Sequence, residues 1–205
     1  MIVLYTKQSA SPNILRISIM LHETGLPYTV EPVEKGDDGK FPDAYLAISP
    51  NATVPAIVDQ ENGASLFESG AILLYLAEKT KRFLPADLKS RGDVFKWLMF
   101  EAANLGPALG ELYHSLILET AEVSEAHLQR YRDKLGRYCA ILERQLDGRE
   151  YLCGDYSIAD IALYPWCVVL EDFAEISLDD YPRLQRWATT IGQRPAVIQA
   201  VASGA

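Results

Sequence analysis

Two short stretches carry groups that could grip a small zwitterionic peptide: Ala52-Thr53-Val54-Pro55-Ala56-Ile57-Val58 and Leu66-Phe67-Glu68-Ser69-Gly70. Proline has no N–H to give to a sheet ladder, so Pro55 belongs at the first residue of a strand. Val54-Pro55 is also a bond at which a cis peptide is tolerated. Either geometry turns the N–H and C=O of Val54 outward, an edge onto which an extended peptide can add itself. Ser69 suits the N-cap of a helix through Ala71-Ile72-Leu73-Leu74-Tyr75-Leu76-Ala77. The first amides of such a helix face solvent and favour an anion. Glu68, beside them, offers a carboxylate to an ammonium group.

The pairing of Thr53-Val54-Pro55 with Phe67-Glu68-Ser69-Gly70 resembles the glutathione-binding half of the glutathione S-transferase superfamily, and the resemblance covers essentially the whole chain. It implies glutathione as co-substrate and no metal. The backbone of Val54, flanked by Thr53 and Pro55, then pairs with the cysteinyl part of glutathione. Glu68 and Ser69 hold its γ-glutamyl end, and Lys40, ahead of a short helix, meets its glycine carboxylate. Thr53 departs from the pattern, standing where many relatives carry a basic residue, and Ile14 replaces a common small residue after Asn13.

A thiol of this kind has a pKa of about 8.5, so only a few per cent is thiolate at neutral pH. Lowering that value by about two units takes roughly 2.7 kcal/mol of differential stabilisation. A hydroxyl at the amino end of a helix supplies both a hydrogen-bond donor and a positive dipole end. Ser11, in Ser11-Pro12-Asn13, fits that description, and the segment resembles the one that bacterial members of the superfamily use near the glutathione sulfur. Ser11 is therefore expected as the thiolate donor, with Asn13 as a second, amide donor. Ser9 in the same loop and Tyr5 at the end of the first strand are its rivals, Tyr5 reading more naturally as packing. No cysteine lies in this loop, which argues against a mixed disulfide between the protein and glutathione. A second-substrate pocket is expected between this loop and the helical half, lined by Ser9, Tyr113 and His114.

The elements that must position these groups follow from periodicity and punctuation. Ile2-Val3-Leu4-Tyr5-Thr6 reads as a buried strand. Ser11 and Pro12 start a helix that stops at Gly25. Tyr28 to Val33 is an edge strand containing Pro32, and Phe41 to Ile48 is a short helix. A hairpin turning at Glu61-Asn62-Gly63 leads to the helix from Ser69. Strand, helix, strand, helix, hairpin, helix argues for a small mixed sheet with helices packed on it. Beyond Arg82-Phe83-Leu84-Pro85 no convincing strand appears. Arg91 to Ala121 is helical with a kink expected at Gly106-Pro107. Leu128, Tyr131, Leu135, Tyr138, Leu142 and Leu146 form a core stripe on a helix capped by Ser124 and ended by Gly148. Ser157 and Asp160 read as a capping box, and Tyr181-Pro182 opens a further helix. The expected class is α+β: a thioredoxin-like glutathione-binding domain over 1–81, a linker over 82–87 and an all-helical domain over 88–205.

At 205 residues, with 49% hydrophobic residues, the chain holds a sizeable core. A net charge of −9 disfavours nucleic acid and anionic membrane as partners. Cys139, Cys153 and Cys167 are odd in number and widely spaced, against a disulfide framework, a zinc site or a dithiol motif. No apolar run is long enough to span a bilayer and no signal peptide is recognised, so the cytoplasm is the expected location. The resemblance points to the bacterial nu-class and yeast nitrogen-regulator-like group, and to a homodimer. It implies a detoxifying glutathione transferase whose thiolate attacks an electrophilic substrate. Glutathione-dependent disulfide-bond oxidoreduction without a protein cysteine is the alternative, and non-catalytic glutathione binding a third reading.

Overall fold

The computed structural model describes residues 1–7, 11–36, 39–118 and 123–204. They form two compact units, one of residues 1–84 with 194–205 and the other of residues 85–193.

The first unit is built on a four-stranded mixed sheet in the order β2-β1-β3-β4, from β1 (Ile2–Thr6), β2 (Tyr28–Pro32), β3 (Ala56–Asp59) and β4 (Ala64–Phe67). β1 runs parallel to β2 and antiparallel to β3, with Val3 opposite Thr29 on one side and Val58 on the other. As an inner strand covered on both faces, β1 reads as a continuous apolar run, and Ile2, Val3 and Leu4 are all buried. Pro32 closes β2 at the sheet edge, where a missing N–H costs no ladder bond. The β3–β4 hairpin turns at Asn62-Gly63, where Gly63 takes φ +74°.

Three helices belong to this sheet in sequence: α1 (Pro12–Thr24), α2 (Asp43–Leu46) and α3 (Ser69–Thr80). Pro12 stands at the first position of α1, and Gly25 ends it at φ +69° with its N–H on the carbonyl of Leu21. α2 is one turn, shorter than the 41–48 span expected, because it opens only after Pro42. α3 buries Ile72, Leu73, Leu76 and Ala77 on one face and packs beside α1.

The expected domain boundary needs correction at its far end. A closing helix, Pro195–Ala202, packs on α1 and belongs to the first unit rather than to a helical domain running to residue 205. It buries Val197 and Ala200, and Arg194 at its start donates from Nη2 to Oε2 of Glu23 over 3.1 Å. These contacts join residues far apart in sequence, which periodicity along the chain does not reveal.

The second unit is helical: α4 (Leu88–Phe100), α5 (Gly106–Tyr113), α6 (Glu125–Gln145), α7 (Ile158–Cys167), α8 (Leu170–Ala174) and α9 (Pro182–Gly192). Instead of a simple kink at Gly106-Pro107, a π-helical turn over Glu101–Leu105 carries α4 into α5. Widening the turn ahead of Pro107 relieves the clash that a proline ring makes with the preceding turn. A Cβ at 106 would lie 2.6 Å from Oε1 of buried Glu101, so any larger residue there would force that side chain to move. Leu128, Leu135, Tyr138, Leu142 and Leu146 are buried, while Tyr131 is half-exposed. The capping box at Ser157 and Asp160 opens α7, every residue of which is buried. Asp160 accepts from the backbone N–H groups of Leu152 and Ser157, the Ser157 hydroxyl and Nε1 of Trp187.

Candidate functional site

The peptide edge and the anion site both lie in the first unit. Val54-Pro55 is a cis bond, and Val54 sits just before β3. Among the described residues, neither the N–H nor the C=O of Val54 makes a hydrogen bond. Its neighbour is anchored firmly: the C=O of Thr53 accepts from the Tyr45 hydroxyl at 2.7 Å and from Oγ of Ser49 at 2.9 Å. Tyr45 in turn packs with Phe41 and Tyr5, ring centroids 5.4 and 5.7 Å away. An open backbone pair held on such a base is ready-made for an added extended strand.

Ser69 is not the N-cap expected of it. It is the first residue of α3, and Glu68 occupies the cap at φ +65°, ψ 110°, without a side-chain capping bond. That left-handed backbone is uncommon for a residue with a side chain. The Glu68 carboxylate is exposed and makes no capping hydrogen bond. Among the described residues, the N–H groups of Ser69, Gly70 and Ala71, ahead of the first helical bond from Ile72 to the carbonyl of Glu68, have no backbone acceptor. A carboxylate side chain and a helix mouth rich in donors thus stand side by side, matched to an ammonium and a carboxylate on one ligand.

Ser11 occupies the N-cap of α1 at φ −134°, ψ 127°, and its carbonyl accepts from the N–H groups of Ile14 and Leu15. Its hydroxyl makes no capping bond, so its proton is not committed to the helix. Asn13 is joined to two other groups. Its Oδ1 accepts from Nη2 of Arg16 at 2.6 Å and from Oγ of Ser69 at 3.3 Å. The site residues of α1 and α3 therefore touch directly. Arg16 was missed in the sequence, although a lone arginine in Ile14-Leu15-Arg16-Ile17, three residues after Asn13, is a legible signal; it is only 1% exposed.

The remaining candidates are placed as follows. Ser9 lies outside the described residues. Lys40 is exposed, and its carbonyl accepts from the N–H of Gly36. Tyr5 is half-buried against the cluster of Val33, Tyr45 and Ala56. Tyr113 and His114 are in the second unit at the end of α5, both exposed, with Tyr113 edge-on to Phe173 at 5.1 Å. All three cysteines are in the second unit as well. Burial pushes the thiols of Cys139 and Cys153 up to about 12 and raises that of Cys167 well above its ordinary value. Among the described residues no group of histidine, cysteine and acidic side chains is arranged to hold a metal ion, and no helix is long and apolar enough to cross a membrane.

The family model for the glutathione S-transferase N-terminal domain matches residues 10–79, and that for the C-terminal domain matches residues 105–195. The disulfide-bond oxidoreductase YfcG of Escherichia coli is 39% identical over 197 residues, covering 93% of this chain and 91% of YfcG. A glutathione transferase of Burkholderia graminis, solved with two glutathione molecules bound per subunit, superposes with a TM-score of 0.88 at 34% identity, covering 98% of this chain and 88% of that one. Protein URE2 of Eremothecium gossypii is 27% identical over 238 residues, covering 97% of this chain and 67% of its own. A mixed sheet joined to a helical unit, an open Val54-Pro55 edge beside the Glu68-Ser69 helix mouth, and matches along nearly the whole sequence lead to one assignment: the chain belongs to the glutathione S-transferase family.

Proposed function

We propose that the protein binds glutathione in its first unit and uses the bound thiol to reduce disulfides, as a glutathione-dependent disulfide-bond oxidoreductase. The binding half of this reading rests on the unpaired backbone of Val54 beside Glu68 and the start of α3. Val54 pairs with the cysteinyl backbone, the backbone N–H of Ser69 and the amides that follow it in α3 take the γ-glutamyl carboxylate, and Glu68 takes its ammonium. Lys40 meets the glycine carboxylate. Ser11 donates to the sulfur and favours its thiolate, with Asn13 as a second donor.

One observation carries the redox half: the protein offers no reactive thiol of its own, because burial holds all three cysteines far above neutral pH. The similarity to YfcG, a disulfide-bond oxidoreductase, and to the Burkholderia graminis structure with its two glutathiones supports the same reading. In the first step glutathione thiolate attacks one sulfur of the substrate disulfide. A glutathione–substrate disulfide forms and the other substrate sulfur leaves as a thiolate, which takes a proton. A second glutathione thiolate attacks the glutathione sulfur of that mixed disulfide, giving glutathione disulfide and the second substrate thiol. Two glutathiones are oxidised and one disulfide is reduced.

The second reading is transfer of the same thiolate to an electrophilic carbon. It draws on the same uncommitted Ser11 hydroxyl, which assists either attack equally. Tyr113 and His114 are proposed for the second-substrate pocket in both readings, in a cytoplasmic homodimer. A parallel assay with a small disulfide and an aryl halide, each with glutathione, separates them. Turnover of the disulfide well above that of the halide is expected; the reverse ranking would make the protein a transferase, and failure to retain it on immobilised glutathione would remove both readings.

A further inference from the structure

We infer that Arg16 is a positioning residue that locks the carboxamide of Asn13 with its oxygen inward and its N–H groups free to face the glutathione sulfur. This rests on the glutathione-binding reading above.

A carboxamide has an acceptor end and a donor end of nearly the same shape, and only its partners fix which way it points. A guanidinium carries donors and no acceptor. The contact of 2.6 Å from Nη2 of Arg16 therefore requires Oδ1 of Asn13 at that end. The hydroxyl of Ser69 adds a second donor to the same oxygen at 3.3 Å. With the acceptor end taken up twice, Nδ2 is left without an acceptor among the described residues. That nitrogen sits on the first turn of α1, two residues after Ser11 and in contact with the start of α3.

The direction of the amide decides whether Asn13 helps or hinders. An N–H2 group turned to a thiolate stabilises it; a carbonyl oxygen turned to it repels it. Ser69 alone cannot enforce the choice, since a hydroxyl bonds either end. Arg16 can. It is buried at 1% exposure, on the same helix face three residues on, so it has no freedom to release the oxygen. Its positive charge near the start of α1 adds to the dipole that favours the anion.

The test is a pH titration of the thiolate absorbance of bound glutathione, with calorimetric binding, on the full chain and three variants. In the unaltered protein the thiol titrates below its free value. In Arg16→Gln the carboxamide is released, and the thiol pKa rises by about one unit, with kcat/KM at neutral pH falling about 10-fold and the pH profile moving to the alkaline side. Glutathione affinity stays within about threefold, a split that mere loosening of the fold would not give. Arg16→Lys, which keeps a donor-only cation, restores most of the shift. Asn13→Asp keeps both bonds to its oxygen while exchanging the free N–H2 for an acceptor, and it raises the thiol pKa at least as far. It carries the test if Arg16→Gln does not fold. A bound thiol that titrates unchanged in Arg16→Gln, or in Asn13→Asp, overturns the inference alone. An unaltered protein that binds no glutathione overturns the functional reading and this inference with it.

Discussion

Oγ of Ser69 donates to Oδ1 of Asn13 over 3.3 Å, joining the first turns of α3 and α1 across 56 positions of sequence. A hydroxyl has one proton, and here Asn13 holds it. On the proposed reading, the grip on a ligand carboxylate then falls to the backbone N–H groups at the head of α3, and the grip on its ammonium to Glu68.

Ser69→Ala should accordingly weaken glutathione binding by less than about 10-fold, the scale of one neutral hydrogen bond. Glu68→Gln removes the charged partner of the ammonium and should weaken it by about 10- to 100-fold, as for a charge-assisted bond worth 1.5–3 kcal/mol. Titration calorimetry on the two variants decides. A larger loss in Ser69→Ala would return the principal role to the hydroxyl.

Ser11 offers a rare separation of rate from stability. Replacing a serine that caps its helix costs about 0.5–2 kcal/mol, but the Ser11 hydroxyl makes no such bond. Ser11→Ala should leave the midpoint of urea unfolding almost where it was. If the hydroxyl donates to the glutathione thiolate, turnover at neutral pH should fall by about 10- to 100-fold and recover as the pH is raised toward the free thiol value near 8.5. An unchanged rate would transfer the role to Asn13, Ser9 or Tyr5.

What the sequence made legible, and what it did not, follows from how local each feature is. Pro12, Gly25, Ser124 and the Ser157–Asp160 box are punctuation read within one turn of chain, and each stands at its expected place. The order of strands and helices follows from periodicity in the same way. Glu68 at φ +65° was not legible, because nothing in a Phe-Glu-Ser run announces a left-handed residue; the helix therefore starts one residue earlier than a serine cap would place it. The bond from Ser69 to Asn13 and the seat of the closing helix on α1 arise only when distant segments meet. Arg16 lay between these cases: its burial is tertiary, but a lone cation in an apolar helical run was there to be noticed.

The cysteines give a chemical prediction. A thiol whose pKa is pushed to about 12 by burial is thiolate to less than about one part in a thousand at pH 8, and the thiolate is the reactive form. Iodoacetamide applied to the native protein at pH 8 should leave Cys139, Cys153 and Cys167 unmodified by mass spectrometry, and disulfide reduction with glutathione undiminished. Labelling should appear once urea opens the helical unit. Rapid native labelling that also abolished reduction would show that a protein thiol takes part.

The sheet hairpin is tied to α3 through one buried carboxylate. Asp59, fully buried, accepts from the Tyr75 hydroxyl at 2.6 Å, from Nζ of Lys79 at 2.8 Å and from the N–H of Glu61 at 3.0 Å. Burial alone would push its pKa up; Lys79, Tyr75 and the Glu61 amide outweigh that and hold it down at about 2. The unfolded chain titrates near 3.9, so below that pH it binds a proton that the native state does not. The stabilisation is therefore whole above about pH 4 and drains away as the pH falls toward about 2. Asp59→Asn leaves Lys79 with Glu61 as its remaining carboxylate partner and should lower stability at pH 7. The gap to the unaltered protein should narrow steadily between pH 4 and pH 2. Urea unfolding at pH 7, 4 and 2.5 measures it, and a gap that stayed constant over this range would mean that the ion pair contributes nothing beyond the hydrogen bonds asparagine can keep.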